Sequence, residues 1–422
     1  MGRYVGKEAL AAVGSTSSLI HLFVNFFIGL SVGSNVTIAQ DIGAERFEYV
    51  HRSVHTAITL AITAGLALLV VGILFSRQML LIMQSPADVI NLSTIYLRIY
   101  FLGTPANMLY DFGSAILRAQ GDTRRPLYFL TAAGVINVSL NLAFVILFQL
   151  SVAGVALATI ISQYISAILV LRALTKDTGI LHLDLRCLCL DRKAAKRILQ
   201  VGLPAGVQST VFALSNVVIQ SSINSFNSTA VVAGSATATS IEGFINTGCN
   251  AIHQTALTFS SQNYGAGKCK RVDKTIILCI IYATLIGLFL GNLAVFWGYH
   301  LASIYTPGEE EVIAETLLHL RIICSTQFIC GVMDTLVGVL RGIGYSFVPM
   351  VVSLLGACGI RLLWIFTIFQ IYHTPTTLYL SYPISWVITG GAHFIFLLLI
   401  RKRAYLKTCG HRIKSSDRIG RE

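Results

Sequence analysis

Few side chains in this sequence could do chemistry, and their neighbours single them out. Glu242 stands eleven residues into an apolar run and is followed by Asn246, Asn250 and Gln254 at steps of four. Each step turns a helix about 40° past a full circle, so the four make one slanted polar stripe. If the run crosses a bilayer, Glu242 lies about 16 Å deep from the outer side, near the midplane. Gln208, Asn216, Gln220 and Asn224 form a second stripe on the preceding run. Amides are costly toward lipid and cheap toward water, so two adjacent stripes predict a hydrated cavity around one deep carboxylate. The same amides can bond between helices, and the two roles are compatible. A carboxylate in such a place can hold a proton, Na⁺ or an organic cation in turn.

Two further acids stand in apolar runs. Asp111 and Asp334 open the segments DFGSAILRAQGDTRRP and DTLVGVLRGIGYSFVP. Arg118, Gly121 and Pro126 in the first answer Arg341, Gly344 and Pro349 in the second, always 223 residues later. The spacing puts each acid about 10 Å inside the edge that carries the arginine. One reading is anchoring, with the arginine at the headgroups and the acid paired to another helix or a file of water. The other is an inward gate whose pairing changes. Arg361 lies deep in a later run, a candidate partner for Asp334 or Glu242. The first half answers the Glu242 stripe more weakly. His21 and Asn25 match Glu242 and Asn246 at offset 221, and Gly29 and Gly33 stand where Asn250 and Gln254 stand. His21 can titrate near neutral pH, although a buried, satisfied histidine is the plainer reading.

The elements that must carry these groups are membrane helices. The 422 residues are 55% hydrophobic and only 12% charged, about half the charged share of a soluble protein. Runs long enough to span a bilayer lie near 9–39, 53–76, 93–117, 127–149, 152–172, 198–223, 231–260, 275–298, 313–339, 347–371 and 377–400. Of 31 Lys and Arg, 25 fall in one set of alternate loops and the C-terminal tail, and three in the opposite set. That asymmetry orients the Arg118 loop and the C-terminus to the cytoplasm. It also explains the basic excess without a nucleic-acid partner. Cys187 and Cys189 form a C-x-C beside His182 and Asp184, a weak metal signal; free thiols are expected there, and no metal site.

The repeat extends further: YLRIY answers HLRII, AQDIGA answers SQNYGA, and Val13–Ser15 answers Ala233–Ser235. Six spans separate Arg118 from Arg341, so matching segments share orientation and the halves are parallel repeats. The expected fold is an all-α polytopic membrane protein of two helical bundles with a cleft between them, six plus six helices with the first missing and eleven present. The second half opens with a helix at 198–223 that has no partner in the first, which reads as a truncated gene or misassigned start, or else a true eleven-helix protein. Expected divisions are an N-terminal lobe (1–175), a basic cytoplasmic linker (176–197), a C-terminal lobe (198–400) and a basic tail (401–422).

VGKEALAAVGS, AILRAQGDTRRPL, SIEGFI with SSQNYGAGK, and VLRGIGYSFVPM resemble the signatures of the multidrug and toxic compound extrusion (MATE) family, each in its proper half and order. The resemblance implies antiport of Na⁺ or H⁺ inward against small organic cations or amphipathic drugs outward, with no cofactor beyond the coupling ion. It implies a monomer embedded in lipid, in a bacterial cytoplasmic membrane. The family commonly carries an acid in its first helix, which this sequence lacks. A lipid-linked precursor flippase of the same superfamily is the alternative, though its strongly basic cleft is not matched by amides and an acid. An enzyme is not expected: there is no D-D-x-x-D pair, no H-E-x-x-H, and no G-x-S-x-G on a plausible elbow.

Overall fold

The computed structural model describes the backbone of residues 7–83 and 89–419; side chains are not described at 7–13, 15, 18, 151 and 407–419. Val13 and Ser15 of the repeat and the basic tail beyond Leu406 therefore lie outside the described side chains. Among the described residues there is no strand. The helices are α1 (Lys7–Gly43), α2 (Phe47–Ile82), α3 (Ile90–Leu102), α4 (Thr104–Gln120), α5 (Arg124–Leu142), α6 (Ser151–Thr175), α7 (Arg192–Asn224), α8 (Thr229–Gly265) and α9 (Cys269–Phe296). They continue as α10 (Gly298–Tyr305), α11 (Glu310–Ile323), α12 (Gln327–Gly342), α13 (Phe347–Ser353), α14 (Ile360–Phe366), α15 (Ile368–Ile371) and α16 (Pro375–Ile419). Nine spans among the described residues are long and apolar enough to cross a membrane. Helix α8 and the α3–α4 pair fall outside that set; α8 carries the Glu242 stripe through its middle.

The duplication is visible in the breaks. Helices α3 and α4 part at Gly103, and α11 and α12 part at a short 3₁₀ turn, Cys324–Thr326, the same place in the repeat. Both second segments end alike. Gly121 and Gly344 adopt φ of +101° and +93°, which an L side chain resists. Each donates back to the arginine carbonyl three residues earlier, at 2.8 Å to Arg118 and 2.9 Å to Arg341. The next N–H closes on the residue before that arginine, Asp122 to Leu117 at 3.1 Å and Tyr345 to Leu340 at 2.9 Å. These bonds satisfy carbonyls that a helix end leaves free.

The chain forms two compact units, Met1–Gly206 and Val207–Glu422. The division falls inside α7, beyond the basic linker, because the first half of α7 packs closely on α1: a Cβ on Gly33 would meet the Ile198 carbonyl at 2.0 Å. In the same unit Arg197 pairs with buried Asp41 at 2.8 Å. In the second unit α12 also lies close to α8. A Cβ on Gly338 would come within 2.8 Å of the His253 carbonyl, so only glycine allows the approach that sets Asp334 beside the helix of Glu242. Helix α16 completes this unit; its Pro383 lacks the N–H that would return to the Tyr379 carbonyl, interrupting the ladder midway.

Candidate functional site

The second unit holds a cavity of about 390 Å³. Asn216 and Gln220 reach it from α7, Glu242 and Asn246 from α8, Asp334 from α12 and Arg361 from α14. Glu242 is half-buried, and each of its oxygens has company. Asn246 Nδ2 donates to Oε1 at 3.2 Å, and Gln327 Nε2 donates in turn to Asn246 Oδ1. His319 Nε2 lies 3.5 Å from Oε2. His319 is buried, its ring 4.6 Å from that of Tyr379, and neither ring nitrogen has a hydrogen-bond partner.

Asp334 lines the same cavity. Cys330 Sγ donates to its Oδ2 at 3.9 Å, and His253 Nδ1 lies 2.6 Å from its backbone carbonyl. No Lys or Arg nitrogen lies within 4.0 Å of the Asp334 carboxylate among the described residues. Arg341, seven residues on, is not at a solvated edge. It is 5% exposed and donates to Gln208 Oε1 at 2.9 Å. That bond engages Gln208 outside the cavity. Asn250 and Gln254 extend the α8 stripe but do not line the cavity either: Asn250 is exposed and Gln254 half-buried. Asn224 accepts from Gln220 Nε2 at 3.2 Å.

The first unit holds a much smaller apolar space among α1, α2, α3 and α4. That space is about 10 Å³, walled mainly by Phe23, Phe27, Leu68, Phe101 and Met108. That is room for about one water. His21 is exposed rather than buried, Asn25 is half-buried, and neither lines this space. Asp111 accepts from Asn107 Nδ2 at 3.4 Å, and Arg118 Nε has no partner. Arg118 and Asp111 form no ion pair within 4.0 Å.

Elsewhere, Cys187 and Cys189 are free thiols, and no group of His, Cys, Asp and Glu among the described residues is arranged to hold a metal. Cys187 Sγ donates instead to Asp184 at 3.5 Å, and that carboxylate raises the thiol above its ordinary pKa.

Sequence reading passed over His319, Gln327, Tyr379, Tyr382 and Trp386. The signal for His319 was present: it answers Tyr96 in the repeat and is an ionisable group inside an apolar run. The aromatic residues gave none, because in a membrane helix their type does not distinguish a cavity wall from lipid.

The family model described as MatE matches residues 1–143 and 204–367. The probable multidrug resistance protein YoeA of Bacillus subtilis is 28% identical over 376 residues, spanning 86% of this chain and 79% of YoeA. YpnP of the same organism, also a probable multidrug resistance protein, is 25% identical over 361 residues, spanning 86% of this chain and 80% of YpnP. The solved outward-facing conformation of a multidrug resistance MATE family transporter of the MOP superfamily superposes with a TM-score of 0.88 at 18% identity, covering 96% of this chain and 91% of that one.

Proposed function

This chain belongs to the MatE family, the MATE transporters, and from that premise we propose that it is a cation-coupled antiporter exporting organic, mainly cationic, compounds across a bacterial cytoplasmic membrane. It is a multi-pass membrane transporter, not an enzyme. The relatives' names, probable multidrug resistance proteins, support drug-like cargo. The observation that carries the coupling is Glu242, set among Asn246, His319 and Asp334 in one cavity.

In this mechanism Glu242, with His319 beside it, takes up H⁺ or Na⁺ when the cavity is open to the outside. Neutralising the carboxylate removes the attraction for a cationic cargo, which leaves. When the cavity opens to the cytoplasm the ion departs, and the restored charge recruits the next cargo. One site, two competing cations and two access states suffice, since an ion shifts the balance of states only by binding them unequally. The amides of Asn216, Gln220 and Asn246 solvate whichever cation is present. The protein acts as a monomer in lipid, with the C-terminus on the cytoplasmic side.

The test is efflux of ethidium from vesicles containing the purified protein under imposed sodium or pH gradients, one at a time. One gradient alone should drive efflux. Efflux indifferent to both gradients rules out coupling.

A further inference from the structure

The cavity holds a group that an export site for plain cations does not need. Arg361 is 5% exposed and lies in the same wall as Glu242 and Asp334. Among the described residues no carboxylate oxygen comes within 4.0 Å of it. The Asp334 charge acts on it across the cavity without pairing with it, and a buried charge that no close counterion neutralises is costly, so such a residue calls for a reason.

Its placement is built. Arg361 Nε donates to Ser385 Oγ at 2.9 Å, and Ser385 spends its own proton on the Tyr382 carbonyl at 2.8 Å. The guanidinium lies over the Tyr382 ring, 4.2 Å from its centroid, with the Trp386 ring at 5.7 Å. These contacts fix the plane of the guanidinium and occupy one of its five N–H donors. The other four have no protein acceptor among the described residues. The helix leading to Arg361 is itself irregular: a π turn, Leu354–Gly359, directly precedes α14. Such turns re-aim the residues that follow and recur at functional sites. At this turn Gly356 sits so close to α16 that a Cβ would be 2.3 Å from Thr389 Oγ1. The first unit's π turn, Ala143–Leu147, lies elsewhere in the repeat, and Val138 stands where Arg361 stands. The first unit carries no arginine at the matching place in the repeat.

We propose that Arg361, held flat by Ser385, Tyr382 and Trp386, is an oxyanion subsite, so that the cavity's cargo is an aromatic zwitterion: a cationic end toward Glu242 and Asp334 and a carboxylate or phosphate on Arg361. This rests on the cavity being the cargo site. A planar guanidinium matches either oxyanion through two parallel N–H bonds, and the aromatic wall suits a flat ring system.

The matched probes are rhodamine 110, which carries a cationic xanthene and a free carboxylate, and rhodamine 123, its methyl ester. Binding of each to the purified full chain in detergent is read by fluorescence polarisation, for wild type, R361Q, R361K and S385A. R361Q should weaken rhodamine 110 roughly 10–100-fold and leave rhodamine 123 within about twofold. R361K and S385A should fall between, since one keeps the charge without the fork and the other loosens its aim. Benzoate or phenylphosphonate added as a competitor should displace rhodamine 110 from wild type only, and the stronger of the two tells carboxylate cargo from phosphate. Equal losses for both dyes in R361Q would make Arg361 a structural residue and overturn the subsite; so would no loss for either. Arg361-dependent binding without gradient-driven dye flux in vesicles upholds the subsite and rejects the antiport reading. Coupled flux of both dyes, undisturbed in R361Q, does the reverse.

Discussion

The seating of Gly33 against α7 gives a sharp prediction. A methyl group added at Gly33 would stand 2.0 Å from the Ile198 carbonyl oxygen and 2.8 Å from the Gly202 nitrogen. Ordinary contact begins at 3.4 Å, so the shorter distance is about 1.4 Å too small. Both obstacles are backbone atoms of α7, which no rotamer change can move; α1 and α7 must separate. Overpacking of this kind costs roughly 1–3 kcal/mol. The higher helix propensity of alanine returns up to about 1 kcal/mol, leaving a net loss of about 1–2 kcal/mol at the upper end of that range. Gly134 is the control, because a Cβ there meets nothing within 4 Å, and G134A should gain rather than lose. The assay is the apparent melting temperature of each purified variant in detergent, read by loss of the monodisperse peak on size-exclusion chromatography. G33A should melt several degrees below wild type, and G134A at or above it. A G33A protein as stable as wild type would refute the tight α1–α7 contact on which the boundary of the first unit depends.

Other outcomes follow from the same geometry. D334N keeps the volume of the side chain but removes a charge from the cavity wall; gradient-driven efflux should fall about tenfold or more, equivalent to ~1.4 kcal/mol or more, with unchanged melting. At the cytoplasmic turn, Asp122 accepts from the Arg124 and Arg125 backbone at 3.0 and 3.1 Å and pairs with the Arg125 side chain. Burial alone would raise its pKa, but these bonds and the Arg125 charge hold it below the usual carboxylate range. D122A should therefore destabilise the start of α5 by roughly 1 kcal/mol. Because the folded value lies below the unfolded value of about 3.9, that margin is complete above pH 3.9 and vanishes as pH falls through the folded value. Melting curves of wild type and D122A should accordingly differ at neutral pH and converge in acid.

Much of the fold was legible because hydrophobic length and loop charge are properties of the chain itself. Every apolar run named from sequence lies within or largely overlaps a helical span, even the α3–α4 and α11–α12 spans that break partway. The matching left-handed glycines, Gly121 and Gly344, could be read from the repeat alone. The site was half legible. Spacing along α8 brought Glu242 and Asn246 together, but it also enrolled Asn250 and Gln254, because a stripe has no marker for where the cavity ends. Depth along the helix suggested separate places for Asp334 and Glu242. What joins them is the close seating of α12 on α8 at Gly338, a contact between segments far apart in sequence. For Arg341 the spacing left a headgroup anchor and an inward gate both open; its burial against Gln208 of α7 is something that spacing within α12 cannot reveal. For the same reason the partner of Arg361 was unreadable: Ser385, Tyr382 and Trp386 all come from α16.

Exchange of ions for cargo at Glu242 is tested most directly by one measurement. Proton and sodium movement is recorded in vesicles when cargo is added, for wild type and for E242Q reconstituted at equal density and with equal melting temperature. Exchange at Glu242 predicts cargo-stimulated movement of one ion in wild type, reduced at least about tenfold in E242Q. Undiminished ion movement in E242Q would contradict it.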